Sequence, residues 1–275
     1  MKVYFIGAGP GAADLITLRG AAILARVPMV LYAGSLVPVE VLQHCDAQAQ
    51  RIDTAGLDLE QQEACYRAAQ AGNYDVARLH SGDPAIYGAT AEQMRRLDTL
   101  GIDYEVVPGV SSFSAAAAVV KSELTKPEVS QTIILTRVSG RASAVPESEA
   151  IAGLAAHRAT MCIFLSGPHL KKIVGDLRLH YPDDTPVSLV YRATWPEERI
   201  YQGTLGTVLK DTKRGDWNLT TMMLIGAALG HGAQVESRLY AKEYKHLFRA
   251  KKTSRAKVAK SQNIVPEVVS EEAET

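Results

Sequence analysis

The residues with the most chemical content sit just past the segments expected to be strands. Gly7-Ala8-Gly9-Pro10-Gly11 follows Val3–Ile6, Ser81-Gly82-Asp83-Pro84 follows Asp75–His80, and Pro108-Gly109-Val110-Ser111-Ser112 follows Asp103–Val107. Ligands of open α/β sheets bind just beyond the carboxyl ends of strands. Small residues there let a ligand approach the backbone. Asp83 is placed either to accept hydrogen bonds from a ribose hydroxyl or a ligand ammonium, or to cap the helix that follows. The glycine loop invites comparison with a dinucleotide fingerprint, but its third glycine comes one residue early. Pro10 also removes a backbone N–H where a pyrophosphate needs a donor. No acid stands in Tyr32-Ala33-Gly34-Ser35, where one would hold a ribose. A nicotinamide cofactor is therefore the weaker reading. A tight turn with no ligand remains open.

Other chemistries find less support. Cys45, Cys65 and Cys162 form no CxxC, and the seven histidines form no HxxxH or HExxH, so no metal site is expected. Ser35 and Ser166 lack the strand-to-helix elbow of a nucleophilic serine. His44 and His80 read as packing or strand-end residues. Among the cations, Arg137 ends the run Gln131–Arg137, Arg141 follows four residues later, and Arg51, Lys126 and Arg192 lie near strand ends. Arginine in such places suits carboxylates, which it binds with two parallel hydrogen bonds. A surface ion pair is the alternative for any one of them.

Four segments together are more specific than any alone: VYFIGAGPGAADLIT at 3–17, SGDPAIYG at 81–88, VPGVSS at 107–112 and FLSGP at 164–168. Their order and spacing resemble the tetrapyrrole methylases across roughly residues 1–246. YAGSLV at 32–37, DTAGLDLEQ at 53–61 and PEVSQTIILTR at 127–137 look like the branch of that family that methylates C11 of precorrin-4 or cobalt-precorrin-4. The resemblance implies two α/β domains with S-adenosylmethionine in the cleft between them, a corrin-precursor substrate, S-adenosylhomocysteine as product and a homodimer. It carries cofactor contacts onto Pro10, Gly82, Asp83, Ile86, Ser111 and Ser112, and from the second domain onto Leu165, Ser166, Ala193 and Thr221. Arg137 and Arg141, in the C11-like stretch, are the expected substrate contacts. The related uroporphyrinogen methylases carry an acid where this chain has Ala33, so a general base there does not transfer. No catalytic side chain is assigned, because an electron-rich ring carbon is its own nucleophile and the protein mainly orients it. A same-fold methylase of another tetrapyrrole or of a macromolecule stays open, as do a nicotinamide oxidoreductase and a non-catalytic tetrapyrrole carrier.

The elements that would position these residues alternate between β-branched runs and helical stretches. Strands are expected at 3–6, 29–32, 75–80 and 103–107, with helices at 14–26, 59–71, 89–100 and 111–121. This is the signature of a parallel sheet covered on both faces. After a polar stretch at 122–130 the pattern restarts, with strands at 132–135, 161–165, 187–191 and 222–225 and helices around 147–156, 170–177 and 205–211. The expected domains are 1–122 and 123–248, followed by a charged tail over 249–275 that is expected to be disordered. Thirty basic and thirty acidic residues balance, which argues against a general nucleic-acid binder. No apolar run approaches a membrane span and the start reads as no signal peptide, so a cytoplasmic protein is expected.

Overall fold

The computed structural model describes residues 1–139, 144–213 and 215–230. The expected tail lies outside them. The first half builds β1 (Lys2–Gly7), α1 (Leu18–Leu24), β2 (Met29–Tyr32), β3 (Gln50–Asp53), α2 (Leu59–Gly72), β4 (Val76–His80), α3 (Thr90–Leu100), β5 (Asp103–Val107) and α4 (Ser112–Val119). Its five strands form a sheet in the order β3-β2-β4-β1-β5, every pair parallel. The pleat sends alternate residues to opposite faces. Val3 and Phe5 pack with Leu31, Tyr66 and Leu97 on one side, while Tyr4 and Ile6 pack with Val30, Leu79 and Leu24 on the other. That two-sided burial is why β1 and β2 read as continuous apolar runs.

The second half builds β6 (Ile133–Arg137), α5 (Ile151–Ala155), β7 (Thr160–Phe164), α6 (Leu170–Leu177), β8 (Pro186–Tyr191), β9 (Arg199–Thr204), α7 (Val208–Asp211) and β10 (Thr221–Ile225). The order is β6-β7-β10-β8-β9, and only β6 with β7 is parallel. This second sheet is mixed, where the first is wholly parallel, so the second α/β unit that was expected is not a copy of the first. β8 and β9 are joined by a short connection that returns the chain antiparallel, and β10 inserts between β7 and β8. One face carries α6 over Met161, Ile163, Leu189 and Met223. The other receives the alanines of α4, which pack on Cys162, Val190, Met222 and Leu224. Helix α4 thus leaves the first sheet and covers the second.

Three further differences have local causes. β3 and β9 are edge strands with mostly exposed, polar residues, so no apolar run marks them. The helix expected over 14–26 is a short 3-10 turn, Ala13–Leu15, and then α1, because the Thr17 hydroxyl accepts from Gly20 N and restarts the helix there. The stretch around 147–156 divides likewise into a 3-10 turn, Glu147–Glu149, and α5.

Candidate functional site

In the first sheet, β1, β4 and β5 are neighbours, so their carboxyl-end loops meet. Gly9 and Gly82 exchange backbone hydrogen bonds of 3.3 and 2.8 Å, and Ala8 N donates to His80 O at 2.8 Å. Asp83 fastens the third loop: its Oδ1 accepts from Ala85 N at 2.7 Å and its Oδ2 from Gly109 N at 2.9 Å. The loops touch so closely that a Cβ on Gly109 would stand 2.2 Å from Gly82 O and 2.6 Å from Gly7 Cα. Only glycine leaves room there.

The second sheet supplies the opposite wall from Leu165 after β7, from residues 192–195 after β8, and from residues 219–222 at the start of β10. Two side chains tie this wall to the glycine loop. Thr194 Oγ1 accepts from Ala12 N at 2.9 Å, and Trp195 Nε1 donates to Pro10 O at 2.8 Å. Gly11 lies against them, since a Cβ there would meet Trp195 Cδ1 at 2.4 Å. Pro10 cannot donate, but its carbonyl is what the indole holds.

The cleft between these walls is lined by Pro10, Ile86, Ser112, Leu165, Ala193 and Thr221, six of the expected cofactor residues. The other four stand behind the lining. Gly82 and Asp83 shape the loops as described. Ser111 occupies the N-cap position of α4, and buried Ser166 donates its hydroxyl to Thr221 O at 3.0 Å. The sequence reading missed Tyr87, Phe164 and Trp195, which also line the cleft. Their only signal was lying one or two positions from Ile86, Leu165 and Ala193, because aromatic residues are equally at home in a core.

Two polar atoms at this cleft are buried without a partner among the described residues: Thr221 Oγ1 and Arg192 Nε. A buried polar group left unpaired costs about 1–3 kcal/mol, so both call for a polar ligand or water. The Arg192 guanidinium lies 4.7 Å from the Trp195 ring and 5.6 Å from the Tyr191 ring, and pairs with Glu197 at 3.4 Å. The backbone is strained here too. Tyr87, Leu165, Arg192 and Thr194 adopt φ of +54°, +57°, +48° and +68°. Left-handed conformations of such residues cost on the order of 1–3 kcal/mol and gather at functional sites.

Arg137 ends β6 with its guanidinium 6.0 Å from the Tyr87 ring, and it donates to Val138 O and Ala144 O. Tyr87 in turn meets Phe164 edge-on at 4.9 Å, so Arg137 borders the cleft. Arg141 lies outside the described residues. Arg51 sits mid-strand and donates to Asp46 O, while Lys126 donates to Gly230 O; neither lines the cleft. His44 packs against Ala13 O at 2.9 Å. Asp53, at the end of β3, accepts from Gly34 N and Ala55 N, and these two bonds hold its carboxyl below the usual range. Among the described residues no group of three His, Cys, Asp or Glu side chains is placed to hold a metal ion, and no helix is long and apolar enough to cross a membrane.

Known proteins resemble this chain over nearly its whole described length. The family model of the tetrapyrrole (corrin/porphyrin) methylases matches residues 2–209. The precorrin-4 C(11)-methyltransferase of Pseudomonas aeruginosa is 48% identical over 249 residues, covering 90% of this chain and 99% of that one. The crystal structure of a cobalt precorrin-4 methyltransferase, a cobalamin biosynthetic enzyme, superposes with a TM-score of 0.80 at 42% identity, covering 83% of this chain and 96% of the other. That of uroporphyrin-III C-methyl transferase from Thermus thermophilus, complexed with S-adenosyl homocysteine, gives 0.68 at 27% identity, covering 83% and 93%.

Proposed function

The chain belongs to the tetrapyrrole methylase family, and from that premise we propose that it transfers a methyl group from S-adenosylmethionine to C11 of precorrin-4, or of cobalt-precorrin-4, in cobalamin biosynthesis. The observation that carries this reading is the 48% identity to a precorrin-4 C(11)-methyltransferase over 99% of that enzyme's length. A nicotinamide oxidoreductase has no comparable support, and Ala33 stands where its ribose acid would be.

The cleft fits the proposed cofactor. Thr221 Oγ1 and Arg192 Nε need polar partners. The close-packed glycine loops give a ligand access to backbone groups, and Pro10, Ile86, Leu165 and Ala193 offer an apolar bed for an adenine or a methionine chain. When bound, S-adenosylmethionine supplies a sulfonium methyl, an electrophile that needs no metal. The protein's part is placement and exclusion of water. The Trp195 and Thr194 bonds to the glycine loop hold the two walls together. Holding reactants in line is worth on the order of 7–11 kcal/mol, so orientation alone accounts for much of the catalysis.

Arg137 and Arg141 are proposed to anchor substrate carboxylates, Arg137 from its place beside Tyr87 at the cleft border. Arg137→Ala is expected to raise KM for the tetrapyrrole about tenfold or more while leaving S-adenosylhomocysteine affinity unchanged. Equal loss of both affinities in steady-state kinetics and calorimetry would assign Arg137 to holding the walls instead. A homodimer in the cytoplasm completes the proposal, the first from the family resemblance and the second from unpaired, widely spaced cysteines.

The decisive experiment incubates the protein with methyl-labelled S-adenosylmethionine and each form of precorrin-4, then maps the new methyl group by NMR. Label at C11 is expected. Label at another carbon overturns the positional assignment, and no transfer to either tetrapyrrole overturns the substrate.

A further inference from the structure

Beside the cleft lies a second pocket of about 410 Å³, and Leu36, Ser81 and Tyr87 line both. It sits at the carboxyl end of β4, between the first turns of α2 and α3. Arg78 and His80, two apart on β4, both line it, and both are more than nine-tenths buried. The hydrogen bonds of Arg78 run to neutral oxygens: Nε donates to Gln93 Oε1 at 3.2 Å and Nη1 to Thr54 Oγ1 at 2.9 Å. Tyr66 donates to the same Gln93 oxygen at 3.2 Å. Among the described residues no carboxylate comes within 4 Å of this guanidinium.

The rest of the wall does not make up the missing charge. Asp58 is committed to the capping box of α2, accepting from Gln61 N at 2.8 Å. Glu92 is exposed in the first turn of α3. The imidazole of His80 is neutral, its pKa pushed down to about 3 by burial and then by Arg78. Two polar atoms on the wall, His80 Nε2 and Gln62 Oε1, are buried with no partner among the described residues. No side chain caps the N-terminus of α3, whose dipole adds partial positive charge at the pocket.

A buried cation without a counter-charge is unfavourable, and a partner carboxylate relieves it. We propose that this pocket receives an acidic side chain of the tetrapyrrole, its carboxylate held by Arg78, and so fixes which edge of the substrate faces the cofactor cleft. The proposal rests on the tetrapyrrole reading above. Water that enters with the substrate then donates to Gln62 Oε1 and satisfies His80 Nε2. Because the pocket shares Tyr87 with the cleft, a carboxylate on Arg78 positions the ring without touching the methyl donor. Arg78 is a positioning residue.

The test compares precorrin-4 with analogues in which one acidic side chain at a time is an amide. Wild type should show KM raised ten- to a hundredfold for one of the mono-amides, the range expected for a charge-assisted hydrogen bond. Arg78→Gln should treat that amide and the acid alike, with S-adenosylhomocysteine affinity by calorimetry as in wild type. Should Arg78→Gln not fold, Gln62→Phe, which fills the pocket from α2, replaces it with the same expectation. A variant that still discriminates by the wild-type factor, or a wild type indifferent to every mono-amide, overturns the proposal. Methylation of precorrin-4 by wild type in the same assay keeps the two readings apart. Its absence removes the proposed function, whereas active wild type with an indifferent Arg78 removes only the subsite.

Discussion

At the scale of single residues, burial and unmet bonding decide behaviour more than identity does. Thr221 is a clear case, since its hydroxyl is buried at the cleft with no partner. Thr221→Val keeps the shape and removes that orphan, so the free protein should melt at the same temperature or higher. S-adenosylhomocysteine affinity should fall about two- to tenfold, the worth of one ordinary hydrogen bond. Unchanged affinity in calorimetry would return Thr221 to packing alone. His80 gives a prediction in pH. Its folded pKa is pushed down to about 3 from the ordinary 6.5, so between those values the unfolded chain binds the extra proton. Stability is then fully present above about 6.5 and declines as pH falls toward 3, by at most about 1.4 kcal/mol per pH unit. His80→Gln should flatten that decline in thermal melts taken from pH 7 to 5. Parallel curves for wild type and variant would refute it. Little of this was visible in the sequence, where His80 read as a strand-end residue: Arg78 two positions earlier shares its face of the strand, but the burial emerges only when the helices close over β4.

At the scale of elements, the sequence reported what was buried on two sides and missed what was not. β1 and β2 announced themselves through unbroken apolar residues, Val3–Ile6 and Met29–Tyr32, whereas β3 and β9 carry Gln-Arg-Ile-Asp and Arg-Ile-Tyr-Gln-Gly-Thr on exposed edges. Antiparallel insertion of β10 is likewise silent in periodicity, since a buried strand reads the same in either direction. The loops were more legible, because a glycine demanded by close approach is a chemical statement. Gly109→Ala tests it. The added methyl meets backbone of both Gly7 and Gly82, which cannot rotate aside. The variant should lose several kcal/mol of stability, as overpacked sites do, and should lose S-adenosylhomocysteine binding with it. A variant that melts within a degree or two of wild type would show that the loops can part.

At the scale of the whole molecule, the cleft depends on a few bonds between sequence-distant segments. Trp195 donates to Pro10 across 185 positions and Thr194 accepts from Ala12 across 182. Trp195→Phe keeps an aromatic ring, though a smaller one, and removes the N–H. It should weaken S-adenosylhomocysteine binding several-fold while costing roughly 0.5–1.5 kcal/mol of stability. Cofactor affinity equal to wild type would mean that the wall is held by packing rather than by this bond. The candidate site was legible to the extent that its small residues were: Pro10, Ser112, Ala193 and Thr221 were all expected, and all line the cleft. Arg192, weighed among the cations near strand ends, lines it too, whereas Trp195 was not assigned to it, because nothing in a tryptophan's identity says whether it will face a core or a ligand.

The left-handed backbone at Tyr87, Leu165, Arg192 and Thr194 bears on how this protein can change. Each position would relax if it became glycine or asparagine, so a search for heat-resistant variants should be drawn to them first. The same residues present their side chains or their neighbours to the cleft, and the strain is what aims them. Gains in heat resistance at these four sites should therefore come with slower turnover, while gains at the edge strands β3 and β9 should not. Robustness and rate are mapped onto different parts of the chain, and the boundary between them runs along the rim of the cleft.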